Sequence, residues 1–237
     1  GLNFPNLKFD INTKRDFKKI KNSISNLKIK VNTSGKKIIK NFMINKINKN
    51  LNKLFPINRS LTGKGNLTTL KEIKKIIPIQ ILKIPSGKKV YDWTVPNEWL
   101  IKDAWIKDLN NNKIVSYKDN NLCVVNYSKS FEGKLSSDQL RKKLYFHPKI
   151  KTAIPYKTSY YKKDWGFCVT RKVFEKIISN KSKLKVKIDA KFKKGNLIYG
   201  EILIKGKSKK EVLISTYICH PSMANDNLSG IILCAYL

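Results

Sequence analysis

Apolar residues recur at helical spacing through the first third of the chain. From Lys40 to Phe55 they return every three or four positions, and Pro56 then stops the helix because proline offers no backbone N–H. The same spacing predicts a second helix over residues 67–77, ending before Pro78. The β-branched run Ile79–Ile84 comes next and predicts a strand. Two helices are therefore expected to lead into the first strand.

The pattern changes over residues 93–160. Tryptophans, tyrosines and short alternating runs are separated there by Asn, Gly and Lys turns, which predicts a small β-rich module. One short helix is expected around Ser137–Leu144, and another at Arg171–Ile178 after the module. The module is thus set apart from the helical segments on either side.

Three strands are predicted near the C-terminus. Leu184–Phe192 alternates apolar and polar residues, and Asn196–Ile204 is expected to pair with it as a hairpin. Val212–Ile218 is a continuous apolar run, which is typical of a central strand covered on both faces. A helix is expected to begin at Asp226. The order strand, loop, helix indicates an α/β fold.

Composition sets the class of protein. The 237 residues are 41% hydrophobic and 10% aromatic, which suffices for a packed core. No apolar run approaches the roughly 20 residues of a membrane span, so we expect no membrane partner. The N-terminus lacks a secretory signal and the four cysteines show no C-x-x-C spacing, which indicates reduced thiols and a cytoplasmic location. The missing initiator Met suggests a fragment.

The charge of +34 at first favours an anionic partner such as nucleic acid. However, nearly all of the cations are Lys, and Arg occurs at only four positions. Phosphate readers favour the bidentate Arg side chain. Lys, Asn and Ile are in excess along the whole chain, as an AT-rich coding bias would produce. We therefore favour compositional drift and expect no specific nucleic-acid partner.

Candidate chemistry lies in the stretch STYICHPSMANDNLSG. His220 directly follows the predicted buried strand, and Asp226 stands at the start of the next helix. Sites of open α/β sheets gather beyond the strand ends, and imidazole and carboxylate are both zinc ligands. The alternative is an ordinary loop, in which Asp226 caps the helix N-terminus and His220 is a hydrogen-bonded loop residue. Spacing alone leaves the metal site and the ordinary loop both open.

Five stretches together resemble a bacterial family with an aminopeptidase-like domain, whose members often occur near surface-polysaccharide biosynthesis genes. They are LFPINRSLTGKG, IPSGKKVYDWTVPNEW, AIPYKTSYYKKDWGFC, YGEILIKG and the His220 stretch, which resembles the first metal-ligand segment of di-zinc aminopeptidases. The resemblance covers about residues 42–237, and residues 1–40 match nothing.

The resemblance implies a di-zinc aminopeptidase-like α/β fold, a mixed sheet flanked by helices, interrupted by the inserted β-rich module. The aminopeptidase-like domain would comprise residues 41–92 and 161–237, the module residues 93–160, and residues 1–40 an unassigned extension. His220 would be a terminal ligand of one zinc and Asp226 the carboxylate that bridges two zincs. The implied function is hydrolysis of an amide bond, on a peptide or an acylated amino sugar.

Two departures from the family pattern stand out. The residue two positions after the histidine, an imidazole-orienting Asp in the better-studied relatives, is Ser222 here. The general-base glutamate and the other metal ligands are expected beyond Leu237. The domain is therefore expected to be partial, and the 237-residue chain inactive as a hydrolase.

Other candidates are weaker. The aromatic stretch that contains Tyr156, Tyr160, Tyr161, Trp165 and Phe167 either forms core or stacks against a sugar or peptide. A non-catalytic binding protein that uses the inserted module is therefore the alternative function, and a basic nucleic-acid-binding protein is a further one. We expect a structural or surface role for His147 and an exposed structural role for Arg59. Self-association into a homo-oligomer is left open.

A Cys219–His220 nucleophile pair is not expected, because neighbouring side chains on a strand point to opposite faces.

Overall fold

The computed structural model describes residues 33–208 and 210–237, with side chains from residue 43 onward. Most of the extension expected over residues 1–40 lies outside the described residues. The described chain is a mixed α/β protein with helices and several small sheets. The helices are α1 (Thr33–Leu54), α2 (Lys64–Ile73), α3 (Ser137–Arg141), α4 (Arg171–Ile178) and α5 (Ser229–Tyr236). The strands are β1 (Gln80–Pro85), β2 (Lys89–Val90), β3 (Trp93–Thr94), β4 (Glu98–Lys107), β5 (Lys113–Ser116), β6 (Phe131–Leu135), β7 (Leu144–Tyr145), β8 (Phe167–Cys168), β9 (Leu184–Lys193) and β10 (Asn196–Glu201).

The largest sheet has four antiparallel strands in the order β5-β4-β9-β6. Its central pair sets Ala104 of β4 opposite Ile188 of β9, and both side chains are fully buried. Alternate residues of β9 from Leu184 to Ala190 face the core, as a half-buried strand requires. Helix α4 completes this cluster through Ile177, which is also fully buried. We call this sheet with its core the antiparallel module.

A second hydrophobic cluster joins the two ends of the described chain. Helices α1 and α2 contribute Leu54 and Leu70, the two-stranded sheet β1–β10 contributes Ile198, and α5 contributes Ile231 and Ile232. Because α1 and α5 share this cluster, the end of α1 lies beside the loop that precedes α5. That proximity brings the 54–62 and 219–226 segments together at the candidate site.

Several predicted elements are present with shifted ends. Helix α4 begins and ends as predicted, whereas α3 ends at Arg141 and α1 extends back to Thr33. The predicted hairpin between the Leu184 and Asn196 strands is wrong in its pairing. Strand β9 pairs with β4 and β6, and β10 pairs with β1. The chain crosses between two sheets at residues 194–195, and β10 pairs along its whole length with β1.

The predicted central strand Val212–Ile218 is also wrong for the described structure. No helix or strand is assigned to residues 202–208 and 210–219, and Val212 and Leu213 are 89% and 90% exposed. An apolar run becomes a buried strand only where neighbouring strands and helices cover it. The described residues place no strand beside it. We call residues 202–208 and 210–219 the exposed apolar segment.

Helix α5 begins at Ser229 rather than Asp226, because the backbone angles of Asp226 and Asn227 are not helical. The domain boundaries at residues 92 and 160 stay predictions, although β9 of the antiparallel module lies beyond residue 160. Among the described helices, none combines the length and the apolar character that crossing a membrane requires.

Candidate functional site

His220 and Asp226 lie next to each other at the loop before α5. His220 Nδ1 is 3.9 Å from Asp226 Oδ1, with the imidazole side chain 18% exposed and the carboxylate 51% exposed. Burial lowers the pKa of His220, since it disfavours the charged imidazolium; the nearby Asp226 opposes this shift and Arg59 adds to it. The site therefore presents a neutral imidazole beside an accessible carboxylate.

Two tyrosine rings orient the imidazole. The ring of Tyr156 lies 4.6 Å from that of His220 and the ring of Tyr217 lies 4.9 Å away, both edge-on. The Tyr217 hydroxyl also donates a hydrogen bond to Asp226 Oδ1, the oxygen that faces His220. Tyr217 thus contacts both candidate ligands.

The pair fits one metal ion but does not complete a site. Two ligands that each lie about 2.0–2.2 Å from a zinc ion are at most about 4.4 Å apart, so a separation of 3.9 Å is compatible with a shared ion. A neutral imidazole and an ionised carboxylate are the right donor chemistry. Across residues 33–208 and 210–237, no group of three His, Cys, Asp or Glu side chains comes close enough to hold a metal. The described residues therefore offer two ligands of a larger set.

Arg59 lies under this loop, and the expectation of an exposed side chain is wrong. It is 1% exposed, its Nε donates to the main-chain carbonyl of His220 at 2.9 Å, and its Nη1 donates to the carbonyl of Leu54 at 2.6 Å. Burial lowers the pKa of Arg59 to about 10. At neutral pH the guanidinium stays charged and holds the His220 loop against the end of α1.

Ser222 does not replace the missing imidazole-orienting Asp. Its hydroxyl donates to the carbonyl of Phe55 at 2.9 Å, and the residue is buried. Ser222 therefore fastens the same loop to the end of α1, two residues beyond the histidine. The orientation of the imidazole comes from the tyrosine rings and from the Arg59 contact with the backbone.

Cys219 and His220 are closer than the strand argument predicts. Cys219 Sγ lies 3.7 Å from His220 Nδ1, because this segment is not a strand and its side chains do not alternate. Burial raises the pKa of Cys219, so the thiol keeps its proton at neutral pH. A thiolate nucleophile is disfavoured for this reason, and all four cysteines are free thiols.

His147 lies in a turn and has a structural role. Its Nδ1 accepts hydrogen bonds from the backbone N–H groups of Lys149 and Ile150, at 3.2 and 2.9 Å. This is the role expected from the sequence.

Sequence reasoning missed the functions of Tyr156, Tyr217 and Arg59 at this site. In the sequence, Tyr156 lies in an aromatic stretch, Tyr217 in a predicted strand and Arg59 in a turn-rich loop. Arg59 contacts His220 across 161 positions of sequence, and no local spacing carries that information. The one available signal was the placement of Arg59 and Tyr156 inside two of the stretches that resemble the aminopeptidase-like family.

Known proteins resemble this chain over most of its length. A family model described as "Domain of unknown function (DUF4910)" matches residues 48–237. A Clostridium acetobutylicum protein named "Putative polysaccharide biosynthesis protein with aminopeptidase-like domain" is 44% identical over 187 residues, which are 79% of this chain and 43% of that protein. A crystal structure described as a "putative peptidase" from Clostridium acetobutylicum matches with a TM-score of 0.77 and 41% identity, covering 84% of this chain and 48% of that one. The chain thus spans about half the length of either relative.

Proposed function

The chain belongs to the DUF4910 family, and from this premise we propose that it is part of a zinc-dependent aminopeptidase-like hydrolase. The proposed reaction is hydrolysis of an amide bond, on a peptide or on an acylated amino sugar. The observation that carries the proposal is the approach of His220 Nδ1 to Asp226 Oδ1, in a chain whose relatives are named for a peptidase and an aminopeptidase-like domain.

The residues of the site have distinct proposed roles. His220 stays neutral through burial and offers a ring nitrogen as a terminal ligand. Asp226 would offer its carboxylate as a second metal ligand once the Tyr217 hydroxyl releases its oxygen. Bound zinc ions supply Lewis-acid polarisation of the scissile carbonyl and lower the pKa of a bound water. Arg59 and Ser222 hold the loop, so that both ligands keep their positions.

The remaining ligands and the general-base glutamate are proposed to lie in the part of the family proteins that this chain does not span. Two of the expected ligands are within residues 210–237, and no third joins them among the described residues. Two ligands hold zinc far more weakly than a complete site does. The 237-residue chain is therefore proposed to bind metal weakly and to hydrolyse no amide.

Metal titration of this chain tests the proposal. We expect Co²⁺, followed by visible absorption, and Zn²⁺, followed by calorimetry, to bind with a Kd between about micromolar and millimolar. His220→Ala and Asp226→Asn should each weaken binding at least about tenfold, because each removes one of the two ligands. Tyr217→Phe should tighten binding, since the Asp226 oxygen no longer accepts the hydroxyl.

His147→Ala is the matched control and should leave metal affinity unchanged, because the hydrogen bonds of His147 to other described residues lie within its own turn. Metal binding that survives His220→Ala would refute the assigned site. Zinc-dependent turnover of an aminoacyl p-nitroanilide by the unmodified chain would refute the proposal that this chain holds an incomplete metal site.

A further inference from the structure

A second site candidate is a cavity of about 380 Å³ on the antiparallel module. The loop of residues 157–165 forms most of its wall, and Val125 and Tyr145 complete it. Its volume lies within the roughly 300–1,000 Å³ of small-molecule sites. Neither His220 nor Asp226 lines it, so what it binds is a separate question from the metal site.

Four of the ten residues that line the cavity are aromatic. Tyr145, Tyr160, Tyr161 and Trp165 all line it. Tyr161 is 84% exposed, whereas Trp165 is 7% exposed. A large ring left in water at the edge of a cavity gains apolar contact only when a ligand enters. The C–H face of a pyranose ring packs flat on such a ring, while its hydroxyl groups point sideways.

Polar groups and charge complete the wall. Lys157, Lys162 and Asp164 line the cavity, and the Lys143 ammonium lies 2.5 Å from Asp164 Oδ1. This contact holds the pKa of Asp164 below its usual range, so the carboxylate stays ionised and can accept hydrogen bonds from sugar hydroxyls. Because Lys143 neutralises Asp164, the two lining lysines leave a surplus of positive charge.

The loop is fixed before any ligand arrives. Backbone N–H groups of Asn126 and Lys129 donate to the carbonyls of Lys157 and Asp164 at 2.8 and 2.9 Å, and Ser159 donates to Asn126 at 2.9 Å. Irregular backbone held at both ends in this way loses little entropy on binding. The cavity is therefore preformed.

We propose that this cavity binds a pyranose sugar that carries a negative charge, such as a hexuronate. The exposed Tyr161 supplies the stacking surface, Asp164 accepts hydroxyl hydrogen bonds, and Lys157 and Lys162 bind the anionic group. Single-stranded nucleic acid also favours aromatic rings with lysines. The Asp164 carboxylate in the wall accepts hydrogen bonds from the hydroxyl groups of a pyranose, and a phosphate backbone offers no such donors.

The cavity is linked to the candidate metal site through two tyrosines. The hydroxyls of Tyr160 and Tyr156 are 2.7 Å apart, and the ring of Tyr156 packs against His220. A sugar in the cavity would therefore lie near the proposed hydrolytic site. Binding of the sugar requires no metal, so this proposal does not rest on the proposed hydrolytic function.

A matched pair of ligands tests the proposal. The ¹⁵N-labelled chain is titrated with methyl β-D-glucuronide and with methyl β-D-glucoside, which differ only in the carboxylate, and amide shifts are followed by NMR. We expect the glucuronide to bind with a Kd of about millimolar and at least about tenfold more tightly than the glucoside, because charged hydrogen bonds are the stronger ones. Absence of binding, or equal affinity for both sugars, would overturn the proposal.

Variants locate the binding. Tyr161→Ala should weaken glucuronide binding about tenfold without unfolding the chain, because its ring is exposed. Tyr91→Ala, which removes a ring that is 98% exposed and remote in sequence, is the matched control and should change nothing. The double variant Lys157→Gln and Lys162→Gln should abolish the preference for the glucuronide. An unchanged Kd in Tyr161→Ala would refute the site.

Two further measurements separate this proposal from its alternatives. His220→Ala should leave glucuronide binding unchanged, so that the metal site and the sugar site succeed or fail independently. An oligothymidylate that shifts the same amides and displaces the glucuronide at physiological salt would overturn the sugar in favour of nucleic acid.

Discussion

The antiparallel module and the exposed apolar segment are both rich in β-branched and aromatic residues, yet only the module forms paired strands. In the module, Ile188 of β9 lies between β4 and β6 and is fully buried. In the segment, Ile204 and Val212 are 82% and 89% exposed. The difference shows that an apolar β pattern forms a buried strand only where other strands or helices pack against it. The pattern itself does not indicate which parts of the chain those are.

The two regions also hold different parts of the proposed chemistry. The module carries a preformed cavity whose loop is fixed by backbone hydrogen bonds. The segment leads directly into His220, whose position depends on Arg59 and Ser222 at the other end of the described chain. The proposed sugar site therefore depends on contacts within residues 125–165, and the proposed metal site on contacts between more distant parts of the sequence.

Hydrogen exchange gives the largest expected contrast between the regions. Amides shared by β4 and β9 should exchange at least about 10³-fold more slowly than amides of residues 210–219, because the former open only with the fold and the latter have no strand partner among the described residues. Exchange measured by mass spectrometry on peptic fragments checks this.

Equal protection of the two regions would contradict the comparison. Repeating the exchange at tenfold lower protein concentration is the control. If residues 210–219 are protected and this protection disappears on dilution, then other copies of the chain cover the segment. That result would show that the chain forms a homo-oligomer.

Local pattern predicted most of the elements but few of their contacts. Helix α4 has the predicted bounds Arg171–Ile178, and the Thr170 hydroxyl caps its first turn by accepting from Val173 N. The pairing of β9 with β4 joins residues about 85 positions apart, and the crossing of β10 to β1 joins residues more than 100 apart. A hairpin is the nearest pairing in sequence, but β9 and β10 both pair with strands that are distant in sequence.

The same limit applies to the site. His220 and Asp226 are near in sequence, and the structure brings their side chains to 3.9 Å, while metal ligation stays a proposal. Arg59 and Tyr156 reach His220 only through tertiary packing. Most cations of this chain are exposed lysines, so its composition suggests an exposed Arg59. The burial of this side chain could not be inferred from the spacing of residues either. Residues that position a ligand are less visible in sequence than the ligand itself.

Truncating one isoleucine in each region gives the next effect. Ile188→Ala should lower the free energy of unfolding by about 2–5 kcal/mol, because it leaves a cavity at a fully buried position. Ile204→Ala, the same change at a side chain that is 82% exposed, should stay within about 0.5 kcal/mol of the unmodified chain. Urea unfolding followed by tryptophan fluorescence measures both. A loss in Ile204→Ala as large as in Ile188→Ala would mean that the segment is packed in solution.

Buried thiols give the smallest contrast, and it depends on pH. Burial raises the pKa of Cys168, which adjoins Phe167 of the module core, to about 12, whereas thiols of unfolded chains ionise near about 8.5. At a pH above about 8.5, the thiol of Cys168 loses its proton in the unfolded state but keeps it in the folded state. The free energy of unfolding should then fall by about 1.4 kcal/mol per pH unit for this thiol, up to the folded pKa.

Cys168→Ala removes this contribution, so its stability should decline less steeply than that of the unmodified chain between about pH 9 and 10.5. Burial also raises the pKa of Cys219, but this thiol at the end of the exposed apolar segment is only half-buried. Cys219→Ala should flatten the decline over a narrower pH window. Urea unfolding at successive pH values measures the slopes. Parallel slopes for Cys168→Ala and the unmodified chain would show that this thiol is open to water, and the contrast between the two regions would then not extend to their cysteines.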